Sequence, residues 1–326
     1  MKTVGNVADL IGNTPLIRLS NEPGKIEASR FGNFKASLFA KLEFLNPSGS
    51  IKDRVAKYLV EQAERDGLLK PGYTIVEATS GNMGIALSML AASKGYNMIA
   101  VMPEFETKER KQLMQHYGAS VVLSPGEESM EGSIKVAQEL AKDPKHWMPS
   151  QFSNPGNVNC HYETTGQEIL DQVGGKVDVF VMGVGTGGTL MGVGRALKEK
   201  NQNVRLIAAQ PSSSQELTGG EAGHHKIGGV ADGFVPKIVD QSVIDEVVYV
   251  KDEEAIEMCR ILAKEKGLFV GPSSGSNTVV ALRKARRLKK GQVVVTMLCD
   301  LADRYGSIGM FDLEADKVKI PAGCLK

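Results

Sequence analysis

The chain has 326 residues, 42% of them apolar and 24% charged, with a formal net charge of +1. That length exceeds the usual single core and predicts two lobes. The balanced charge, with no long Lys/Arg block, argues against nucleic acid or an anionic membrane as the main partner.

Met1 to Asn6 lacks the apolar core of a secretory signal, and no apolar run approaches the ~20 residues that span a bilayer. Cys160, Cys259, Cys299 and Cys324 are scattered without metal or disulfide spacing, so a reducing cytoplasm is expected. His224-His225 adjoin in a Gly-rich stretch, where a loop is expected rather than a metal pair.

In chain order, periodicity predicts a strand over 38–42 and a helix from about 52 to 65. A buried strand at 74–76, a helix over 83–94, a strand at 98–102 and a helix near 108–116 follow, then a strand at 120–123 and a helix over 130–141. A polar Pro/Asn passage, 149–159, is the best internal boundary. Beyond it come a strand at 177–182, a helix at 190–198, a strand at 204–209, helices at 253–266 and 276–288, and a strand at 293–298. This alternation predicts an α/β fold of mostly parallel twisted sheets covered by helices. The basic run Arg283 to Lys290 reads as a solvated face at a helix end.

Ligands in such folds sit in the loops after strands, and four segments there carry chemistry. Asn46-Pro47-Ser48-Gly49-Ser50-Ile51-Lys52-Asp53-Arg54 sets Lys52 where a turn becomes a helix. An amine there can form a Schiff base with an aldehyde cofactor, once burial, Arg54 or the helix terminus lowers its pKa. Gly185-Thr186-Gly187-Gly188-Thr189 offers backbone N–H groups to a compact phosphate.

With Gly183, that string also satisfies the dinucleotide pattern G-x-G-x-x-G. However, the next strand ends in Gln210-Pro211 rather than the expected acid, which disfavours an NAD-dependent dehydrogenase. Thr79-Ser80-Gly81-Asn82 can grip an α-carboxylate, with Asn82 also able to reach a cofactor ring oxygen, or can serve as a plain helix cap. Gly271-Pro272-Ser273-Ser274-Gly275 offers Ser273 to a ring nitrogen. A hydroxyl there makes a weaker electron sink than an Asp, favouring elimination and replacement at Cβ. Together the segments predict a pyridoxal 5'-phosphate (PLP) enzyme.

The chain resembles the cysteine synthase (O-acetylserine sulfhydrylase) family of fold type II PLP enzymes, related to the cystathionine β-synthase catalytic core. The resemblance runs nearly end to end. It is carried by Ile11-Gly12-Asn13-Thr14-Pro15-Leu16, Asn46 to Arg54, Glu77 to Asn82, Gln151-Phe152-Ser153-Asn154-Pro155, Thr164-Thr165-Gly166, the glycine loop, Gly271 to Gly275 and Asp303-Arg304-Tyr305.

It implies a larger PLP-binding domain, 1–40 plus 152–326, and a smaller one, 41–151, carrying the lysine and the carboxylate loop. It also implies Lys52 as Schiff base and acid/base, with Asn82, Ser273 and Gly185 to Thr189 on the cofactor. Thr79, Ser80, Gly81, Met83 and Gln151 are implied at the substrate carboxylate. A cytoplasmic homodimer acting on a small amino acid is implied as well.

Two departures stand out. Met83 replaces a threonine of the family's loop, leaving its backbone N–H to serve. Asp232 replaces a small apolar residue in Gly228-Gly229-Val230-Ala231-Asp232-Gly233, a loop bordering the family's active-site mouth. Asp-Gly is an ordinary turn pair, but a carboxylate there is also a candidate general base for water. The resulting expectation is β-replacement through an α-aminoacrylate, leaning to L-cysteine plus water giving L-serine plus hydrogen sulfide. Synthesis of L-cysteine from O-acetyl-L-serine and sulfide is the alternative. Threonine dehydratase and tryptophan synthase β fit the motifs less well.

Overall fold

The computed structural model describes residues 3–20, 30–32 and 34–311, so Cys324 falls outside them. Ten strands are seen among the described residues: β1 (Leu16–Arg18), β2 (Ser37–Leu42), β3 (Thr74–Ala78), β4 (Asn97–Pro103), β5 (Ser120–Ser124), β6 (His146–Trp147), β7 (Val179–Gly183), β8 (Arg205–Pro211), β9 (Glu246–Val250) and β10 (Val293–Leu298). They form a six-stranded sheet in the order β1-β2-β10-β7-β8-β9 and a four-stranded sheet in the order β5-β4-β3-β6. Only β1 with β2 is antiparallel. Runs such as Val179–Gly183 are buried along their whole length, as expected of parallel strands covered on both faces.

The covering helices are α1 (Lys52–Arg65), α2 (Asn82–Lys94), α3 (Lys108–His116), α4 (Ser129–Leu140), α5 (Gly156–Cys160), α6 (Gln167–Gln172), α7 (Gly188–Lys200), α8 (Asp252–Lys266) and α9 (Pro272–Ala285). Helix α1 buries Val55, Ala56, Leu59, Val60 and Ala63 on one face, the spacing of an amphipathic helix. Helix α2 is apolar almost all round and correspondingly buried. Helix α9 begins at Pro272, a residue suited to a first helical position.

The structure corrects two expectations here. Ser273 does not precede its helix but lies within the first turn of α9, in a junction that follows α8 rather than a strand. Within the basic run, Arg286, Arg287, Lys289 and Lys290 are exposed as expected, but Lys284 is buried and pairs with Glu246, while the partly exposed Arg283 pairs with Glu254.

Two motifs of the sequence, those of Thr14 and Arg54, meet in one buried charge cluster. Arg54 donates to Glu43 through Nε (2.7 Å) and Nη2 (2.9 Å), and to both Glu168 oxygens (2.7 Å each). Lys41 reaches Glu168 at 2.6 Å, and the Thr14 hydroxyl donates to Glu43 at 2.6 Å. The Arg54 and Lys41 charges hold the Glu168 carboxyl down to about 2 despite its burial. Arg54 is therefore committed to carboxylates, contrary to the expectation that it tunes Lys52.

Arg54→Ala would strand the Glu43 carboxylate, which is 0% exposed. Losing one partner of such a pair costs about 3–5 kcal/mol, so urea unfolding should show a loss of that size with an unchanged m-value.

Candidate active site

Lys52 opens α1, and its turn is clamped to the segment that follows β10. Ile51 N–H donates to Cys299 O (2.9 Å) and Leu301 N–H to Gly49 O (3.2 Å), while Gly271 N–H donates to Asp300 O (3.0 Å). One strand end thus holds both the lysine turn and the start of α9. Among the described residues the Lys52 ammonium has no hydrogen-bond acceptor. Burial pushes its pKa down, against the pull of Cys299, Asp232 and Asp300. A desolvated, unpaired amine is the state in which lysine becomes nucleophilic and basic.

One cavity is lined by Lys52, Thr79, Ser80, Asn82, Met83, Gln151, Thr186, Asp232 and Ser273. Nine residues picked from sequence therefore share a wall. An outer vestibule of about 470 Å³ shares Ser80, Arg110, Gly229, Val230 and Asp232 with that cavity. Gly81, Gly185, Gly187, Gly188 and Thr189 do not line it but shape the two loops that do.

Gly187 takes φ +86°, and a Cβ at Gly188 would fall 1.9 Å from Asn157 Oδ1. The glycine loop is thus packed tightly from behind. Helix α7 has no side-chain cap, and among the described residues the buried N–H groups of residues 185–189 donate to no protein acceptor. Buried unpaired N–H groups are rare in folded proteins, and five at one helix start fit an anion such as a phosphate.

At the start of α2, the Thr79 hydroxyl oxygen accepts from Gly81 N–H (2.9 Å) and Gly84 N–H (3.1 Å). Thr79 thus shapes the loop and leaves the N–H groups of Ser80, Asn82 and Met83 without protein acceptors among the described residues. Gln151 is anchored through Nε2 to Ala78 O at 2.8 Å. The buried Glu77 carboxyl accepts from Ser150 N–H (2.8 Å) and Gln151 N–H (3.3 Å).

Burial raises the Glu77 carboxyl from 4.5 to about 8, opposed by those two N–H groups. The folded state therefore keeps this proton where the unfolded chain has lost it. The resulting contribution to stability is complete below pH 4.5 and is lost as pH rises through about 8. Glu77→Gln should flatten that part of the decline in a melting-temperature series across this pH window.

The structure adds Arg110 and Asp300, which no sequence signal singled out. Arg110 Nη1 donates to Ser80 O (3.0 Å) and Glu106 (2.6 Å), and its Nη2 donates to the Tyr305 oxygen (2.9 Å). Tyr305 OH and Asn82 Nδ2 both donate to Asp300 Oδ2, at 2.6 and 2.7 Å, and Arg304 Nη1 donates to Asn82 Oδ1 at 2.7 Å. One Asn82 N–H remains for a ring oxygen. The motif Asp303-Arg304-Tyr305 was visible in sequence, but two of its partners, Arg110 and Asn82, lie 195 and 222 positions away. Ser273 stands beside Cys299, whose thiol is pushed up to about 12 by burial and so is inert as a nucleophile.

Asp232 sits on a strained loop. Ala231 has φ +52°, a left-handed conformation that is costly for a residue with a Cβ. Its N–H donates to Val184 O (2.9 Å) and its carbonyl accepts from His225 Nε2 (3.1 Å), which hold it there. Strain retained in this way is characteristic of functional loops. Among the described residues the Asp232 carboxylate makes no hydrogen bond and no close ion pair. A Cβ at Gly185 would stand 3.5 Å from Asp232 Oδ2, so the carboxylate lies over the glycine loop. Burial raises its pKa, opposed by the charges of Lys52, His225 and Arg110.

A family profile described as pyridoxal-phosphate dependent enzyme matches residues 7–300. A probable cysteine synthase of Bacillus subtilis is 46% identical over 316 residues, covering 95% of this chain and 99% of that protein. Among solved structures, O-ureido-L-serine synthase superposes with a TM-score of 0.89 at 42% identity, covering 97% of each chain. A hydrogen sulfide-producing enzyme, solved as a D232N mutant with an alpha-aminoacrylate intermediate, superposes with a TM-score of 0.86 at 38% identity, covering 97% of this chain and 93% of that chain.

Proposed function

This chain belongs to the pyridoxal-phosphate dependent enzymes, in the fold type II cysteine synthase family whose chemistry is β-replacement, and we propose that it converts L-cysteine and water to L-serine and hydrogen sulfide. The observation that carries this reading is the Asp232 carboxylate, unpartnered among the described residues, on the wall shared by the inner cavity and the vestibule. Water needs a base to become a nucleophile at Cβ, whereas HS⁻ needs none and would be repelled by a carboxylate. The similarity to a hydrogen sulfide-producing enzyme supports the same choice.

Bound pyridoxal phosphate supplies the electron sink that acidifies the substrate Cα–H and lets the Cβ substituent leave. The N–H groups of residues 185–189 hold its phosphate, Asn82 its ring oxygen, and Ser273 its ring nitrogen. The N–H groups of Ser80, Asn82 and Met83, with Gln151, hold the substrate carboxylate. Lys52, whose pKa is lowered by burial, takes the Cα proton and returns it at the end. Asp232 takes a proton from water as the new C–O bond forms at Cβ. The Cβ–S bond breaks and the sulfur leaves as HS⁻. The proton that Asp232 takes from water and releases equals the one that HS⁻ gains to become H₂S, so L-cysteine plus water gives L-serine plus H₂S with atoms and charge balanced. A cytoplasmic homodimer belongs to this proposal on the strength of the family resemblance.

The second reading, L-cysteine synthesis from O-acetyl-L-serine and sulfide, is favoured by relatives such as the Bacillus subtilis protein. Incubation of the holoenzyme with L-cysteine alone separates the two. Sulfide with equimolar serine supports the proposal, and sulfide with pyruvate indicates simple elimination. Little sulfide, but brisk cysteine formation from O-acetyl-L-serine and sulfide, selects the second reading.

A further inference from the structure

Behind the glycine loop, helix α5 runs into a π-helical turn, His161–Gly166, a geometry that recurs at functional sites. His161 is 1% exposed. Its Nδ1 lies 2.9 Å from Thr165 Oγ1 and its Nε2 lies 3.2 Å from Thr189 Oγ1. Helix α7 makes room for this turn, since a Cβ at Gly192 would fall 2.7 Å from His161 Cβ and 2.3 Å from Val158 O. Among the described residues, neither threonine hydroxyl makes any other hydrogen bond.

Burial, helped by the Arg54 and Lys52 charges, keeps the imidazole pKa well below its usual value. A neutral ring has one N–H to donate and one lone pair to accept with. If Nδ1 carried the proton, Nε2 would take the Thr189 proton and the Thr165 hydroxyl would keep a buried proton with no acceptor, which is costly. If Nε2 carries it, Thr165 donates to Nδ1, Nε2–H donates to Thr189 Oγ1, and the Thr189 proton is free to point into the loop.

We propose that His161 is held as the Nε2–H tautomer and acts as a positioning residue, turning the Thr189 hydroxyl proton toward the phosphate in the glycine loop. The inference rests on reading that loop as the phosphate cradle. It gives the buried histidine a task in the cofactor site without any contact with cofactor or substrate. It also explains why a neutral ring suits the position: a donor is required there, and no charge needs to be buried.

The test begins with wild-type holoenzyme labelled with ¹⁵N-histidine. Long-range ¹H–¹⁵N correlation should show Nε2 protonated and Nδ1 bare at every pH where the protein is native. A protonated Nδ1, or an imidazolium, overturns the proposal.

The second arm compares His161→Leu with His161→Gln, whose amide can donate from near the Nε2 position. One lost hydrogen bond of ordinary strength corresponds to roughly tenfold in affinity. His161→Leu should therefore release cofactor on dialysis about tenfold more readily and shift its ³¹P resonance, while His161→Gln stays near wild type. Equal behaviour of the two variants overturns the proposal. Thr189→Val separates the premises: if it leaves cofactor release and the ³¹P resonance unchanged, the cradle reading fails. If Thr189→Val loosens the cofactor while His161→Leu does not, only the role of His161 fails.

Discussion

Lys52→Ala is expected to lower turnover on L-cysteine by about 10³-fold or more, since the residue is assigned both the covalent link and the Cα proton transfer. Borohydride treatment followed by mass spectrometry should find the cofactor fixed to Lys52 in the wild type and nowhere in the variant. The variant should still bind cofactor noncovalently, because the N–H groups of residues 185–189 and the Asn82 and Ser273 side chains are untouched. Lys52→Arg should fail as badly as Lys52→Ala. A guanidinium keeps the positive charge but cannot give up its proton, so this pair separates charge from basicity. A Lys52→Ala protein that turned over within tenfold of wild type would remove Lys52 from the chemistry.

The second large effect is expected at Asp232. Asp232→Asn keeps the shape of the Ala231 turn and its two backbone anchors, but removes the base. Loss of a general base costs about 10²–10⁴-fold in the step it serves, so serine formation should fall by that factor. Sulfide release in a single turnover should survive, because Lys52 and the electron sink serve that half of the reaction. The repulsive charge is also gone, so cysteine formation from O-acetyl-L-serine and sulfide should rise or hold. Serine production persisting unchanged in the variant would reduce Asp232 to a turn residue.

The alternation of runs predicted a mostly parallel α/β fold, and the two sheets have that character. The reason is local. Buried parallel strands need continuous apolar runs such as Val179–Gly183, and amphipathic helices need a 3.6-residue period such as that of α1. The helix start at α9 was placed about four residues late, because Pro-Ser-Ser-Gly read as loop residues and tertiary burial overrode their weak propensity. Arg54 was misread for a different reason. Its charge was visible, but its partners Glu43 and Glu168 lie 11 and 114 positions away.

By itself, the sequence determined the chemical inventory of the site: an amine at a helix start, two loops rich in Gly, Ser and Thr, a serine in place of an acid, and an aspartate where a small residue was expected. These are properties of residue type and short-range spacing, which a linear string preserves. Only the tertiary structure decided how they act together. It brought Lys52 and Ser273 against one strand end, left Asp232 without a partner among the described residues, and committed Arg54 elsewhere. It also revealed the Arg110, Tyr305, Asp300 and Asn82 chain and set His161 behind Thr189. Desolvation and hydrogen-bond satisfaction depend on neighbours far away in the chain, and no local pattern encodes them.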